Sequence, residues 1–277
     1  MNCPIDQVPM SFCFSEVILG KYNAQYYCCS KCGLIQPENP QSWLPEAYSS
    51  AIAATDIGLV SRNISNIQRL EPILHRLCQT NAKILDVGGG YGMLCRGLRD
   101  RGFDCYITDI YCENLFAKSF EPAPGAKADV LLAFEVFEHV TDPVAFVDEQ
   151  FKKYSPELMI FSTLLYEADE PPPRDWWYYT FETGQHISIY HSRSLQQLAK
   201  KLDLHVTSLN SGLHLLSKQT ISPLDQLLLH SSAKFSSKIY SCMTRFLRRK
   251  KSLLQTDYEN TKSQIRTAIE ASKNISP

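Results

Sequence analysis

The sequence predicts an α/β protein: a mostly parallel, twisted sheet with helices on both faces and a C-terminal antiparallel hairpin. Three observations carry that prediction. Between about residues 82 and 217, short apolar runs alternate with amphipathic stretches, the pattern of βαβ units. The first run stops at a cluster of glycines, Gly88, Gly89, Gly90 and Gly92, just ahead of a helix-forming stretch. The last two runs, 205–209 and 213–216, lie close enough together to pair as a hairpin.

Taken in order, residues 1–47 are rich in Cys, Pro and aromatics, show little helical periodicity and form a small Cys-rich segment. From about Tyr48 to Cys78 the pattern is helical, with Ile64, Ile67, Leu70, Ile73, Leu74 and Leu77 spaced by threes and fours. Lys83–Val87 is a short buried strand, and residues 93–101 form a helix closed by Gly102. A second strand over 105–108 ends at Asp109. The stretch from Asp109 to Asp129 is short and holds Pro122 and Pro124, so no third strand can be placed there. A buried strand over 130–134 follows. Asp142 and Pro143 then start a helix running to about Tyr154, with proline at the first helical position. Leu158–Ser162 is another strand, and Ser192–Lys201 a helix beginning at a serine cap. Residues 218–277 carry no strand signal and form a helical extension. The division is therefore 1–47, 48–217 and 218–277.

A chain of 277 residues buries one sizeable core with room for a small module, since domains run to roughly 100–200 residues. The 28 Lys and Arg nearly balance 29 Asp and Glu, and a net charge of −1 argues against bulk capture of nucleic acid. No continuous apolar stretch reaches the roughly 20 residues that span a bilayer. The first residues lack the basic start and apolar run of a secretory signal, which makes the cytoplasm the expected compartment. Of ten cysteines, Cys3, Cys13, Cys28, Cys29 and Cys32 crowd the N-terminus. Cytosolic thiols stay reduced, so that crowding indicates a metal site rather than bridges.

A strand running into a glycine turn brings backbone close to a ligand, because Gly88, Gly90 and Gly92 add no Cβ to block the approach. Asp109 ends the next strand, where an acid faces the ligand crevice and accepts ribose hydroxyls. Nicotinamide dinucleotides and S-adenosylmethionine share both features. The third glycine of the dinucleotide spacing is missing, its place taken by Met93.

Several separate segments resemble the class I S-adenosylmethionine-dependent methyltransferases. Lys83-Ile84-Leu85-Asp86-Val87-Gly88-Gly89-Gly90-Tyr91-Gly92 resembles their first motif, with Gly89 where a cysteine is common. Asp109 matches the acid of their second strand. The run from Ala128 through Phe134-Glu135-Val136-Phe137-Glu138-His139 to Pro143 resembles the fourth-strand motif of a branch acting on small molecules and glycans. The resemblance covers about 82–217 and implies a Rossmann-like fold that binds S-adenosylmethionine. It places Asp86, Gly88, Gly89, Gly90, Tyr91 and Gly92 around the amino-acid part of the cofactor and Asp109 at the ribose. By the same resemblance, Phe134 and Glu135 would form the wall beside the methyl group. The adenine contacts are left open.

After Leu158–Ser162 come Tyr166, three prolines at 171–173 and Asp175-Trp176-Trp177-Tyr178-Tyr179. Clustered aromatics on such a loop form a substrate wall, or else close the core beneath it. Thr180 to Ile187 resembles a Gly-Gln-His segment of methyltransferases that sit beside glycosyltransferases. The implied acceptor is a hydroxyl of a sugar or glycan, and such a hydroxyl needs a base. His186 is the first candidate, His139 and Glu135 come next, and His191 is fourth. The alternatives are C-methylation of a nucleotide-linked sugar and a non-catalytic scaffold on the same fold.

Cys29-Ser30-Lys31-Cys32-Gly33 is a C-x2-C turn of the kind that holds zinc. The segment resembles the N-terminal zinc ribbon of several sugar-methylating enzymes, although Cys3-Pro4-Ile5-Asp6 offers only one thiol in the other half. The candidate ligands are Cys3, Asp6, Cys29 and Cys32, with Cys13 or Cys28 as substitutes. Residues 234–251 mix seven Lys and Arg with apolar residues. A basic amphipathic helix there rests on an anionic membrane surface or packs on the protein.

Overall fold

The computed structural model describes residues 1–49, 55–234 and 250–273. Its centre is a six-stranded sheet. The strands are β4 (Lys83–Val87), β5 (Asp104–Thr108), β6 (Val130–Ala133), β7 (Leu158–Ser162), β10 (His205–Asn210) and β11 (Leu213–Ser217). Across the sheet they run β10-β11-β7-β6-β4-β5, with β5, β4, β6 and β7 parallel and β11 and β10 antiparallel. Every residue of β6 and β7 is buried, as continuous apolar strands covered on both faces must be.

Side chains alternate between two cores. Ile84, Val130, Leu132, Ile160 and Leu215 face α2 (Leu59–Leu77), α3 (Met93–Arg99) and α6 (Pro223–Lys234). Leu85, Leu131, Ala133, Met159, Phe161 and Leu216 face α4 (Pro143–Tyr154) and α5 (Ser192–Lys201). Helices on both faces and a terminal antiparallel hairpin are the class the sequence predicts. α2 and α3 approach closely at Gly97, where a Cβ would come within 2.1 Å of Ile67 Cδ1.

No strand forms between β5 and β6 among the described residues, so β5 is the sheet edge. The connecting chain touches that edge through the Ile107 N–H, which donates to Phe120 O at 2.9 Å.

The N-terminal segment carries more regular structure than its composition suggests. β1 (Ser11–Ile18), β2 (Tyr22–Cys28) and β3 (Ile35–Pro37) form an antiparallel sheet, followed by the short α1 (Leu44–Ala47). Tyr26, Ile35 and Trp43 share a buried cluster with Tyr178, Tyr179, Ile187 and Ile189, so this sheet is packed against the central domain's loops. A two-stranded parallel ladder of β8 (Leu165–Tyr166) and β9 (Tyr190–His191) lies between.

Two expectations change in detail, and a third falls outside the described residues. The helix expected from about Tyr48 begins at Leu59, with residues 50–54 outside the described set. α5 is capped by His191 instead of a serine: its Nδ1 accepts from Arg193 N at 3.0 Å, and Ser194 Oγ accepts from the His191 N–H. The basic segment lies mostly at 235–249, outside the described residues. Beyond it, α7 (Leu254–Lys273) is docked through Asp257, which receives Arg99 at 2.8 and 2.9 Å and Arg96 at 2.9 Å. Among the described residues no helix is long and apolar enough to cross a membrane.

Candidate active site

β4 ends in a loop in which Gly88, Gly90 and Gly92 all take left-handed φ values, +68°, +59° and +87°. Its neighbours fill most of the space a side chain would need. A Cβ on Gly88 would meet Val136 Cγ2 at 2.7 Å, one on Gly89 the Asp86 Oδ2 at 2.5 Å, and one on Gly92 the Asn114 Oδ1 at 2.5 Å. Gly90 alone of the four has nothing within 4 Å. It is the point where a ligand can lie against bare backbone.

Asp109 pins this loop to the end of β5. Its Oδ2 accepts from Gly90 N at 2.9 Å, while Oδ1 accepts from Tyr111 N and Cys112 N, both at 2.7 Å. Tyr91 holds the far side, its carbonyl accepting from Leu115 and Phe116 N–H at 3.0 Å. Asp86 is buried beneath the loop with its Oδ2 unpartnered. Burial, and then the charge of Asp109, push its carboxyl up to about 8.

The chain leaving β6 forms the opposite wall. Phe134 is half-buried, and Glu135 takes a left-handed φ of +55°, a conformation held at some strain outside glycine. Ser162 fixes it from β7: the Glu135 N–H donates to Ser162 Oγ at 2.7 Å and Oγ donates to Glu135 Oε1 at 2.8 Å. Arg62 Nε lies 3.5 Å from Glu135 Oε2. A cavity of about 190 Å³ opens here, lined by Arg62, Asn66, Arg69, Phe134, Glu135 and Ser162 among others.

His139 and His186 come together, their rings 5.0 Å apart and edge-to-face. His139 Nδ1 lies 2.9 Å from Gln185 O and His186 Nδ1 2.6 Å from Tyr178 O. A carbonyl only accepts, so each ring carries its proton on Nδ1 and leaves the Nε2 lone pair free. Burial and the neighbouring His139 hold His186 down to about 3. Glu138, which the sequence reading did not single out, is fully buried between them with both carboxylate oxygens unpartnered. Its only sequence signal is its place beside His139 in the turn after a buried strand.

The other candidates divide. His191 stands apart as the cap of α5, edge-on to Tyr166. Of the clustered aromatics, Tyr178 lies against His186 and Tyr179 is in the core, while Trp177 is 71% exposed. At the N-terminus, one ligand atom from each of Cys3, Asp6, Cys29 and Cys32 lies within 4.8 Å of the others. Cys3 Sγ is 3.6 Å from Cys32 Sγ, and Cys29 Sγ is 3.6 Å from Asp6 Oδ2. Cys13 and Cys28 are outside this cluster.

The family described as "Methyltransferase domain" matches residues 60–209, more than half of the chain. The chain belongs to the class I S-adenosylmethionine-dependent methyltransferases. A ubiquinone biosynthesis O-methyltransferase from Psychrobacter cryohalolentis is 35% identical over 95 residues, 27% of this chain and 37% of that protein. Its counterpart from Rhodopseudomonas palustris is 32% identical over 105 residues, covering 31% and 42%. The chain thus spans about two fifths of the curated relatives it matches. Among solved structures, an O-methyltransferase family protein from Burkholderia thailandensis gives a TM-score of 0.44 at 13% identity, covering 66% of this chain and 68% of that one. A methyltransferase in calicheamicin biosynthesis, in its SAH-bound form, gives 0.41 at 14% identity, covering 63% and 61%.

Proposed function

We propose that the protein transfers a methyl group from S-adenosylmethionine to a small polar acceptor, a hydroxyl of a sugar or glycan. The observation that carries the cofactor half is the trio of Asp86, Gly90 and Asp109. Gly90 offers open backbone, Asp86 an unpartnered buried carboxylate oxygen, and Asp109 a carboxylate at the ribose position. These fit S-adenosylmethionine. Asp86 and Gly88, Gly89, Gly90, Tyr91 and Gly92 hold its amino-acid part, Asp109 its ribose, and Phe134 with Glu135 flank the methyl. When bound, the cofactor supplies a methyl already activated on a sulfonium, so positioning matters more than strong acid–base help.

The polar cavity beside Glu135, with Arg62, Asn66 and Arg69 on one side of α2, supports a hydrophilic acceptor. Glu135, which lines this cavity, is a candidate proton acceptor, and His186 and His139, which are not among its lining residues, are the others. Glu135 is the more exposed and is oriented by Ser162, while both imidazoles present unprotonated Nε2 atoms. The printed names of the curated relatives favour O- over C-methylation. C-methylation of a nucleotide-linked sugar is the second reading, supported by the ribbon-like N-terminus. Screening nucleotide sugars and short glycans with methyl-labelled cofactor tests the assignment. A labelled sugar is expected, and Glu135→Gln lowers its turnover by about 100-fold. Transfer to none of these acceptors contradicts the sugar reading.

The Cys3, Asp6, Cys29 and Cys32 cluster is proposed to hold a structural zinc. Its support is the four-atom convergence and the turn in which Gly33 N donates to Cys29 O at 2.8 Å. Elemental analysis is expected to give one zinc per chain from this cluster, reduced by Cys29→Ser. Metal-free protein of unaltered stability contradicts it. Free thiols throughout the described residues suit a cytoplasmic enzyme.

A further inference from the structure

Glu138 presents a problem that the methyl-transfer reading does not use. A carboxyl group with no exposed surface has neither oxygen in a well-formed hydrogen bond, and the Tyr178 hydroxyl near it is already engaged with Leu164 N and Thr163 Oγ1. Buried carboxylates are normally satisfied, and a protonated one still needs an acceptor for its O–H. What does surround it are two histidines whose Nδ1–H groups are committed to the carbonyls of Gln185 and Tyr178. That arrangement fixes both rings, directs both Nε2 lone pairs away from those carbonyls, and is the usual outer support of a metal-binding histidine.

We propose that Glu138, His139 and His186 bind a divalent first-row metal ion. One ligand atom of each lies within 4.8 Å of the other two, the spacing of donors around a common ion. Two imidazoles and one carboxylate suit ions such as Mn²⁺ or Fe²⁺ better than a thiolate-seeking metal such as the zinc of the cysteine cluster. The site is therefore chemically separate from the cysteine cluster. Glu135 is not among the ligands, being held by Ser162 and Arg62.

Three protein ligands leave positions for water or an oxygen of the acceptor. An acceptor hydroxyl on the ion would lose its proton more readily, with Glu135 rather than a ligated histidine left to receive it. That consequence rests on the methyl-transfer reading, whereas the site itself does not. The ion would also answer the burial of Glu138, since a cation replaces the donors its oxygens lack.

The test uses full-length protein passed over a chelating resin and titrated with Mn²⁺, free ion being read by electron paramagnetic resonance. One Mn²⁺ per chain is expected, with electron spin-echo modulation from directly bound imidazole nitrogens. Glu138→Gln and His186→Gln each weaken uptake by at least about 10-fold while S-adenosylhomocysteine still binds. No uptake at millimolar Mn²⁺, bound Mn²⁺ without imidazole couplings, or undiminished uptake by both variants overturns the site. The spin-echo result needs no variant, so misfolding of either one leaves the proposal open to refutation. Methyl transfer by protein that takes up no Mn²⁺ sinks the metal site and leaves the methyltransferase reading standing; Mn²⁺ uptake without cofactor binding does the reverse.

Discussion

Asp86 sits at the carboxyl end of β4 with one oxygen that meets no donor, and the fold holds it as an acid up to about 8. Unfolded, the same group gives up its proton in the ordinary carboxylate range. Between these limits the folded state therefore binds more protons, and stability falls as pH rises, by no more than ~1.4 kcal/mol per pH unit. Replacing Asp86 with Asn is expected to flatten that slope between about pH 4 and 8 in urea denaturation. Parallel wild-type and variant slopes would show that Asp86 ionises as freely in the fold as outside it. That Asp109 meets the glycine loop was legible from the sequence because backbone geometry over a short stretch of chain fixes where β4 and β5 end. Glu138 was not. Its burial and its two imidazole neighbours depend on a loop that returns 46 residues later, where Gln185 O meets His139.

At the scale of elements, the legible parts are those whose signals are local. β4, β6 and β7 are apolar runs buried on both faces, and α4 begins at Asp142, whose side chain accepts from Ala145 N at 2.9 Å. The α5 cap was misassigned to serine because a histidine Nδ1 took the role a hydroxyl usually fills. The N-terminal strands escaped because their alternation is broken: register slips between Phe12 and Phe14, and Cys and aromatic residues occupy both faces. The docking of α7 was equally invisible, since Asp257 and Arg99 are 158 residues apart. Both side chains are nearly buried, and without Asp257, Arg99 keeps Asp104 and the Cys105 carbonyl as partners. Asp257→Ala is expected to cost about 1.5–3 kcal/mol in the docking of α7. Hydrogen exchange should show the amides of α7 losing protection while β6 and β7 keep theirs. Unchanged protection in α7 would mean the ion pair contributes little.

Across the whole molecule, two cores share one sheet, and a third buried cluster ties the N-terminal sheet to the loops around His186. Trp43 Nε1 donates to Gly184 O at 2.9 Å, and Gln185 Nε2 to Ala47 O at 2.8 Å. These bonds reach the residues that precede His186, so we propose that the N-terminal segment serves to position the acceptor side of the site. On the outer side, α6 packs against α2, and α7 is tied through Asp257 to Arg96 and Arg99 of α3.

The proposed ligand of the glycine loop is S-adenosylmethionine, approaching the backbone at Gly90. Calorimetry with S-adenosylhomocysteine tests it against a matched control. Gly20 and Gly90 both take left-handed φ values, +70° and +59°, with nothing within 4 Å of a built Cβ. Valine therefore strains both backbones alike, but only at Gly90 does it fill the proposed ligand's path. Wild type and Gly20→Val should bind one S-adenosylhomocysteine per chain with equal affinity, and Gly90→Val should bind it about 100-fold more weakly or not at all. A wild-type protein that gives no binding, or a Gly90→Val variant that binds as wild type does, would contradict the account.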